Sequence, residues 1–193
     1  MTGIGILGRI AAVVAVVGVA IYGGAAVATD AETLRALDER VDGSRVLNLV
    51  VNDGPMEPPP IAFTDEAGEE LTLADYRGTP VAVHFWATWC FPCRAEMPTM
   101  DALQRELGED LVILPLSLDR GGAELVRRYY TDHDLTTLPI FIDEKMAAGR
   151  ALRVHGIPAT VFFDGEGAEV ARVLGDRDWD DPDVIELVRH IAQ

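Results

Sequence analysis

The apolar positions of the chain change period several times along its length, and each change marks an element. Ile10 to Thr29 carry no charge, and Arg9 lies just ahead of them. Such a run meets the roughly 20 residues that a spanning helix needs, and the preceding positive charge predicts an amino terminus that stays in the cytoplasm. Residues 1–29 are expected to form an N-terminal signal-anchor or transmembrane segment. Ala26-Val27-Ala28 also fits a cleavage site, so a removed signal peptide is the alternative. Either way the remainder is expected to be exported.

Leu34, Leu37 and Val41 recur at helical spacing between Asp30 and Gly43, which predicts a short amphipathic helix. Arg45 to Val51 reads as a strand. Asn52-Asp53-Gly54-Pro55 and Pro58-Pro59-Pro60 then break regular structure and stiffen the chain into an extended lead-in. Residues 30–58 are accordingly assigned to a linker with a short helix, and residues 59–193 to the main domain.

Within that domain, Ile61–Thr64 and Glu70–Leu73 flank a turn-rich stretch and predict a hairpin. Val81–Trp86 is an apolar run of strand length, the pattern of a strand covered on both faces. A helix follows to about Leu107, then a second apolar run from Leu111 to Leu118, then a helix from Ala123 to about His133. This alternation predicts parallel strands joined by crossover helices. After Pro139–Ile142 a helix is expected from about Lys145 to Val154. Thr160–Asp164 and Glu169–Leu174 flank Gly165-Glu166-Gly167 and predict a second hairpin. The last helix has Asp180 or Asp181 as cap, Pro182 in its first turn and Val184, Leu187, Val188 and Ile191 as its buried stripe. The expected class is α/β, a central mixed sheet flanked by helices and preceded by the anchor.

Charge narrows the partners. Thirty-two acids stand against 16 bases, so the chain lacks the basic footprint of a nucleic-acid binder. Its acidity favours solubility and would repel anionic surfaces.

The chemistry is concentrated in Trp89-Cys90-Phe91-Pro92-Cys93, which holds both cysteines of the chain. Two thiols at this spacing at the start of a helix can close a disulfide that other thiols can open. A half zinc site is the structural alternative, but no second C-x-x-C or H-x-x-x-H supplies the remaining ligands. Cys90, at the helix start, sits where unpaired N–H groups stabilise a thiolate, and is expected to be the exposed nucleophile. Cys93, one turn in, is expected to resolve the mixed disulfide. Pro92 shapes the first turn, and Pro98 should kink the same helix. Glu96 lies beside the inward stripe of Cys93, Met97, Met100, Leu103 and Leu107. Facing that stripe, its carboxyl would be held neutral by desolvation and could exchange a proton with Cys93; reaching solvent, it would be an ordinary flank charge.

Phe85–Arg94, the preceding Asp75-Tyr76-Arg77-Gly78 and the later Gly156-Ile157-Pro158-Ala159-Thr160 resemble the thioredoxin superfamily, most closely its TlpA/ResA group of membrane-anchored thiol-disulfide oxidoreductases. The resemblance covers roughly Pro59 to Gln193 and implies a thioredoxin-like fold. It supports a functional acid at Glu96 and a cis Ile157-Pro158 bond facing the dithiol, with Ile157 and Pro158 binding substrate backbone. Trp89 would then belong to an exposed apolar rim and Trp86 to the core. His84 departs from the pattern: thioredoxin has an aspartate six residues before the first cysteine. The proton-transfer role would then move to Glu96 or be shared, unless His84 is a satisfied core histidine.

The resemblance implies a periplasmic dithiol reductant at the bacterial inner membrane. A membrane electron donor would keep it reduced, and its clients would be exported proteins such as apocytochrome c or copper-site proteins. Beyond the redox-active Cys90-Cys93 pair, no cofactor and no metal are expected. Two alternatives remain, a disulfide-forming oxidant and a copper-binding chaperone that would use the thiols with a histidine such as His155. A peroxidase would need its reactive cysteine in a different strand-to-helix context.

Overall fold

The computed structural model of the chain describes residues 31–42 and 48–193. The expected anchor, residues 1–29, lies outside them. Among the described residues no helix is long and apolar enough to cross a membrane.

One eight-stranded mixed sheet organises the chain in the order β1 (Asn48–Met56), β8 (Glu169–Leu174), β7 (Ala159–Phe163), β4 (Val81–Trp86), β5 (Val112–Ser117), β6 (Phe141–Ile142), β2 (Ala62–Asp65), β3 (Glu70–Thr72). Its centre is β4 (Val81–Trp86), in which every residue is buried. β4 pairs in parallel with β5 (Val112–Ser117) and antiparallel with β7 (Ala159–Phe163). Side chains of a strand alternate between its faces. Ala82 and Trp86 therefore pack with one apolar cluster, and Val81, Val83 and Phe85 with the other. His84 shares the face of Ala82 and Trp86. That face is covered by α1 (Ala31–Asp42), α2 (Phe91–Leu107), α3 (Gly122–Asp132) and α5 (Pro182–Ile191). The second cluster packs under α4 (Ala147–Ala151) and the short 3-10 turn Leu73–Tyr76.

Both expected hairpins form. β2 (Ala62–Asp65) pairs antiparallel with β3 (Glu70–Thr72), and β7 with β8 (Glu169–Leu174). They turn by the same device. Asp65 Oδ1 accepts from the backbone N–H of Ala67 and Glu69, and Asp164 Oδ1 accepts from those of Glu166 and Ala168. Gly68 and Gly167 supply the positive φ that each turn needs. β5 also pairs in parallel with β6 (Phe141–Ile142), which joins the β2 hairpin to the sheet. α5 is capped by Asp181, whose carboxylate accepts from the N–H of Asp183 and Val184.

Two local expectations change. Asn52-Asp53-Gly54-Pro55 does not end the first strand: β1 runs Asn48–Met56, hydrogen-bonded to β8 with a register shift between Val51 and Met56. An edge strand tolerates a proline because one side of its ladder is unpaired, and Asn52 Nδ2 donates to Glu169 O at 2.9 Å within the irregular stretch. Residues 48–56, assigned to the linker by sequence, thus lie in the sheet, and α1 buries Leu34 and Leu37 in the core. The helix expected from Lys145 to Val154 shortens to Ala147–Ala151, between Met146 and Arg153 at positive φ. Asp143 fixes its start by accepting from the N–H of Ala147 and Gly149.

Candidate active site

The carboxyl end of β4 delivers the chain straight into the cysteine motif. Cys90 N–H returns to Ala87 O at 3.1 Å, turning the loop. Asp119, buried just beyond β5, clamps that loop from behind. Its Oδ2 accepts from Thr88 N–H and from the Ser117 hydroxyl, each at 2.8 Å, and its Oδ1 accepts from the Thr88 hydroxyl at 2.7 Å. The clamp follows from register, since Trp86 and Ser117 pair at the ends of their strands.

Cys90 is the N-cap of α2 and Pro92 lies in its first turn. The two cysteines are joined as a disulfide, and Cys93 N–H points at Cys90 Sγ from 3.3 Å. A backbone N–H and the positive helix end thus both face this sulfur, and each would favour a thiolate when the bond is open. Access is more restricted than the sequence suggests. Cys90 retains 7% of its surface exposed and Cys93 none. The flanking side chains are the open ones, Trp89 at 68% and Phe91 at 81%. Trp86 is core, packed against both Tyr129 and Tyr130.

The Ile157-Pro158 bond is cis, and Ile157 O lies 3.9 Å from Cys90 Sγ. A disulfide sulfur has no proton to donate, so in this state the approach is a contact rather than a hydrogen bond. Pro158 is buried, and its carbonyl accepts from Gly175 N–H at 2.9 Å.

Glu96 is buried on the inner side of α2, one turn beyond Cys93, so the solvent-reaching alternative is excluded. Its Oε2 accepts from Trp179 Nε1 at 2.8 Å and from Arg177 N–H at 2.9 Å. Its Oε1 faces His84 Nε2 at 3.4 Å, and neither of these atoms has a hydrogen-bond partner. The other imidazole nitrogen, Nδ1, lies 3.0 Å from Thr160 Oγ1 across the β4–β7 pair. Burial pushes the Glu96 carboxyl up to about 8, against the Trp179 and Arg177 hydrogen bonds that favour the carboxylate. Burial holds His84 down at about 3. At neutral pH a neutral acid therefore faces a neutral imidazole, and the contact is not an ion pair.

The fold thus gathers Trp89, Cys90, Pro92, Cys93 and Glu96 along one turn-and-helix segment and brings the Ile157 carbonyl, just ahead of the cis bond to Pro158, to Cys90. Sequence reasoning missed Asp119 and Trp179. The one available signal for Trp179 was a lone large apolar residue in the acidic run Asp176–Asp183. Among the described residues no three His, Cys, Asp or Glu side chains come together in a metal-binding arrangement.

Known proteins resemble this chain over much of its length. The AhpC/TSA family matches residues 57–170. The thioredoxin-like protein YneN of Bacillus subtilis (strain 168) is 34% identical over 113 residues, 58% of this chain and 65% of that protein. A thiol-disulfide oxidoreductase ResA of Bacillus cereus is 31% identical over 122 residues, 63% of this chain and 69% of its own. The chain spans about two thirds of the length of these relatives. A solved structure described as a thiol:disulfide interchange protein DsbE from Chlorobium tepidum superimposes with a TM-score of 0.61, covering 73% of this chain and 99% of that one at 23% identity; at that identity the likeness speaks for the fold. With more than half of its residues matched and the sheet order and cysteine motif in place, the chain belongs to the AhpC/TSA family and has a thioredoxin-like fold.

Proposed function

We propose that the protein is a thiol-disulfide oxidoreductase of the ResA kind, a dithiol reductant that acts on disulfides of exported proteins. The observation that carries the reading is the bonded Cys90-Cys93 pair at the start of α2 with a buried carboxyl, Glu96, one turn further along the same helix. Resemblance to ResA supports apocytochrome c or copper-site proteins as the client class, and the uncharged run Ile10–Thr29 supports anchorage in a bacterial inner membrane with the catalytic domain in the periplasm. A membrane electron donor would return the pair to the dithiol.

The chemistry balances within this site. The Cys90 thiolate attacks a client disulfide, forming a mixed disulfide and releasing one client thiolate, which takes a proton from solvent. Cys93 attacks Cys90 Sγ as its proton passes to Glu96 in its ionised form, the minor form at neutral pH for a carboxyl pushed up to about 8. The second client thiolate leaves, the Cys90-Cys93 bond closes, and the client has gained the two electrons that the dithiol lost. On re-reduction the donor thiolate attacks Cys90, and Cys93 departs with a proton from neutral Glu96. The acid thus holds the Cys93 proton between the two halves of the cycle, which explains the use of a carboxyl kept neutral by burial. Trp89 and Phe91 offer apolar contact to the client, and Ile157 with Pro158 offers backbone beside the reacting sulfur.

The purified protein, once reduced, should reduce a protein disulfide. Cys90→Ser should be inactive, and Cys93→Ser should accumulate as a mixed disulfide with its client. Turnover by Cys90→Ser would overturn the reading.

A further inference from the structure

The two oxygens of Glu96 have different surroundings. Oε2 accepts two N–H groups, from Trp179 and from Arg177, and so has no room for a proton. The proton of the neutral acid therefore belongs on Oε1, the oxygen that faces His84 Nε2. Both facing atoms are buried and have no other partner. The nitrogen must then accept when Oε1 carries a proton and donate when it does not, because two lone pairs facing each other in a dry site repel. A neutral imidazole has one N–H and can place it on either nitrogen. Thr160 Oγ1, at 3.0 Å from Nδ1, accepts from Nδ1–H or donates to bare Nδ1 by turning its hydroxyl.

We propose that His84 is the positioning residue that holds the Glu96 proton: its Nε2 accepts from Oε1–H of the acid and donates to Oε1 of the carboxylate, its single N–H moving between Nδ1 and Nε2 as the Thr160 hydroxyl turns. When the pair loses a proton, the oxygen gives up its O–H, the imidazole keeps one N–H in its new place, and the proton ends on Cys93 Sγ or in solvent. The imidazole stays neutral in both states. An aspartate at this position would add a second carboxyl beside the first; the histidine instead serves both protonation states of one carboxyl without adding charge.

The other groups around Glu96 are accounted for. Cys93 lies one turn away on the same helix, and Asp176 and Arg177 on the loop before α5 act on the carboxyl in opposite directions. None of them faces Oε1 as a hydrogen-bond partner. As a contribution to turnover, the proposal rests on the dithiol reading above; as a statement about the resting protein it does not.

The test uses the oxidised full chain labelled with 15N-histidine and 13C-glutamate, titrated from pH 5 to pH 10 by NMR. The His84 signals should report Nδ1–H at low pH and Nε2–H at high pH, with the same midpoint as the Glu96 carboxyl. Thr160→Val should lower that midpoint by about one pH unit, roughly tenfold in proton affinity. It leaves Nδ1–H without an acceptor, and a buried unpaired donor costs more than a bare lone pair. A His84 tautomer that stays fixed while Glu96 titrates would overturn the proposal, and that readout needs only the native chain. A Thr160→Val midpoint equal to that of the native protein would also overturn it. Neither result depends on disulfide turnover, so failure of the dithiol reading at Cys90 is separately visible.

Discussion

Trp179 Nε1 donates to Glu96 Oε2 at 2.8 Å, although 83 residues separate the two. The indole is buried, and the backbone around it is pinned to α2 twice more, by Arg177 N–H on the same carboxyl oxygen and by Trp179 N–H on the Thr99 hydroxyl. The segment before α5 is therefore fixed against α2 at Glu96 and Thr99. The bond favours the carboxylate. Trp179→Phe should raise the Glu96 midpoint above about 8, because the charged form loses a donor and the neutral form loses less. The substitution should also cost about 2–4 kcal/mol through the cavity it leaves. Carboxyl 13C titration checks the first effect and urea denaturation the second.

Stability against pH should report the buried pair. Glu96 titrates near 4.5 as an unperturbed acid and near 8 in the fold. Between those values the native state holds a proton that the unfolded state has lost, so this group lowers stability as pH rises through the window. His84 titrates near 6.5 unperturbed and near 3 in the fold. Below 6.5 the unfolded state takes up a proton that the native state refuses, so this group lowers stability as pH falls. From pH 4.5 to 6.5 the two slopes oppose each other, which predicts a plateau with a decline on either side. The decline from 6.5 to about 8 should amount to about 2 kcal/mol. Glu96→Gln should remove most of it. Urea midpoints at a series of pH values measure this, and an alkaline slope retained by Glu96→Gln would count against the buried acid.

Much of this arrangement was legible from periodicity. The six apolar-flanked positions of β4, the helix opened by the cysteines and both hairpins could be read because each announces itself within a dozen residues. Helical spacing placed Glu96 beside the inward stripe, whereas His84 stood out only as a departure from the thioredoxin pattern. Their meeting was not legible, since it depends on how far α2 slides along β4. Trp179 and Asp119 were still further from reach, because each acts through a contact set by the whole sheet. The first strand was misjudged for a different reason: Asn52-Asp53-Gly54-Pro55 carries turn chemistry, but an edge strand has a free side on which a proline costs little.

Asp119 should prove a support of the cysteine loop rather than a participant in the chemistry. Its carboxylate accepts three hydrogen bonds, two from Thr88 and one from Ser117. Asp119→Ala leaves those donors unmet, and each buried donor left unpaired costs about 1–3 kcal/mol. Losses at one site are not additive, so a destabilisation of about 2–4 kcal/mol is expected, with slower reduction of clients. Asp119→Asn should lose less. Its amide oxygen can keep Thr88 N–H and the Ser117 hydroxyl, while the Thr88 hydroxyl rotates to accept from the new NH2. Denaturation midpoints of the two variants, compared with their rates on a small disulfide, decide the order.

Trp89 and Phe91 should separate client binding from bond exchange. Both side chains flank Cys90, and both are exposed at 68% and 81%. Exposed apolar groups this large beside a cysteine that keeps only 7% of its surface open suit contact with a partner better than support of the core. Replacing both with alanine removes little buried surface, so stability should change by no more than about 0.5 kcal/mol for each. A protein client that lies over this rim loses apolar contact in its complex, and KM for it should rise about tenfold or more, the size expected when aromatic contacts at an interface are cut back. A small disulfide that reaches Cys90 without touching the rim should be reduced at nearly the native rate. Steady-state kinetics on the two substrates make the comparison. Equal losses on both would mean that the rim shapes the cysteine loop itself, and unchanged kinetics on the protein client would place its docking surface elsewhere.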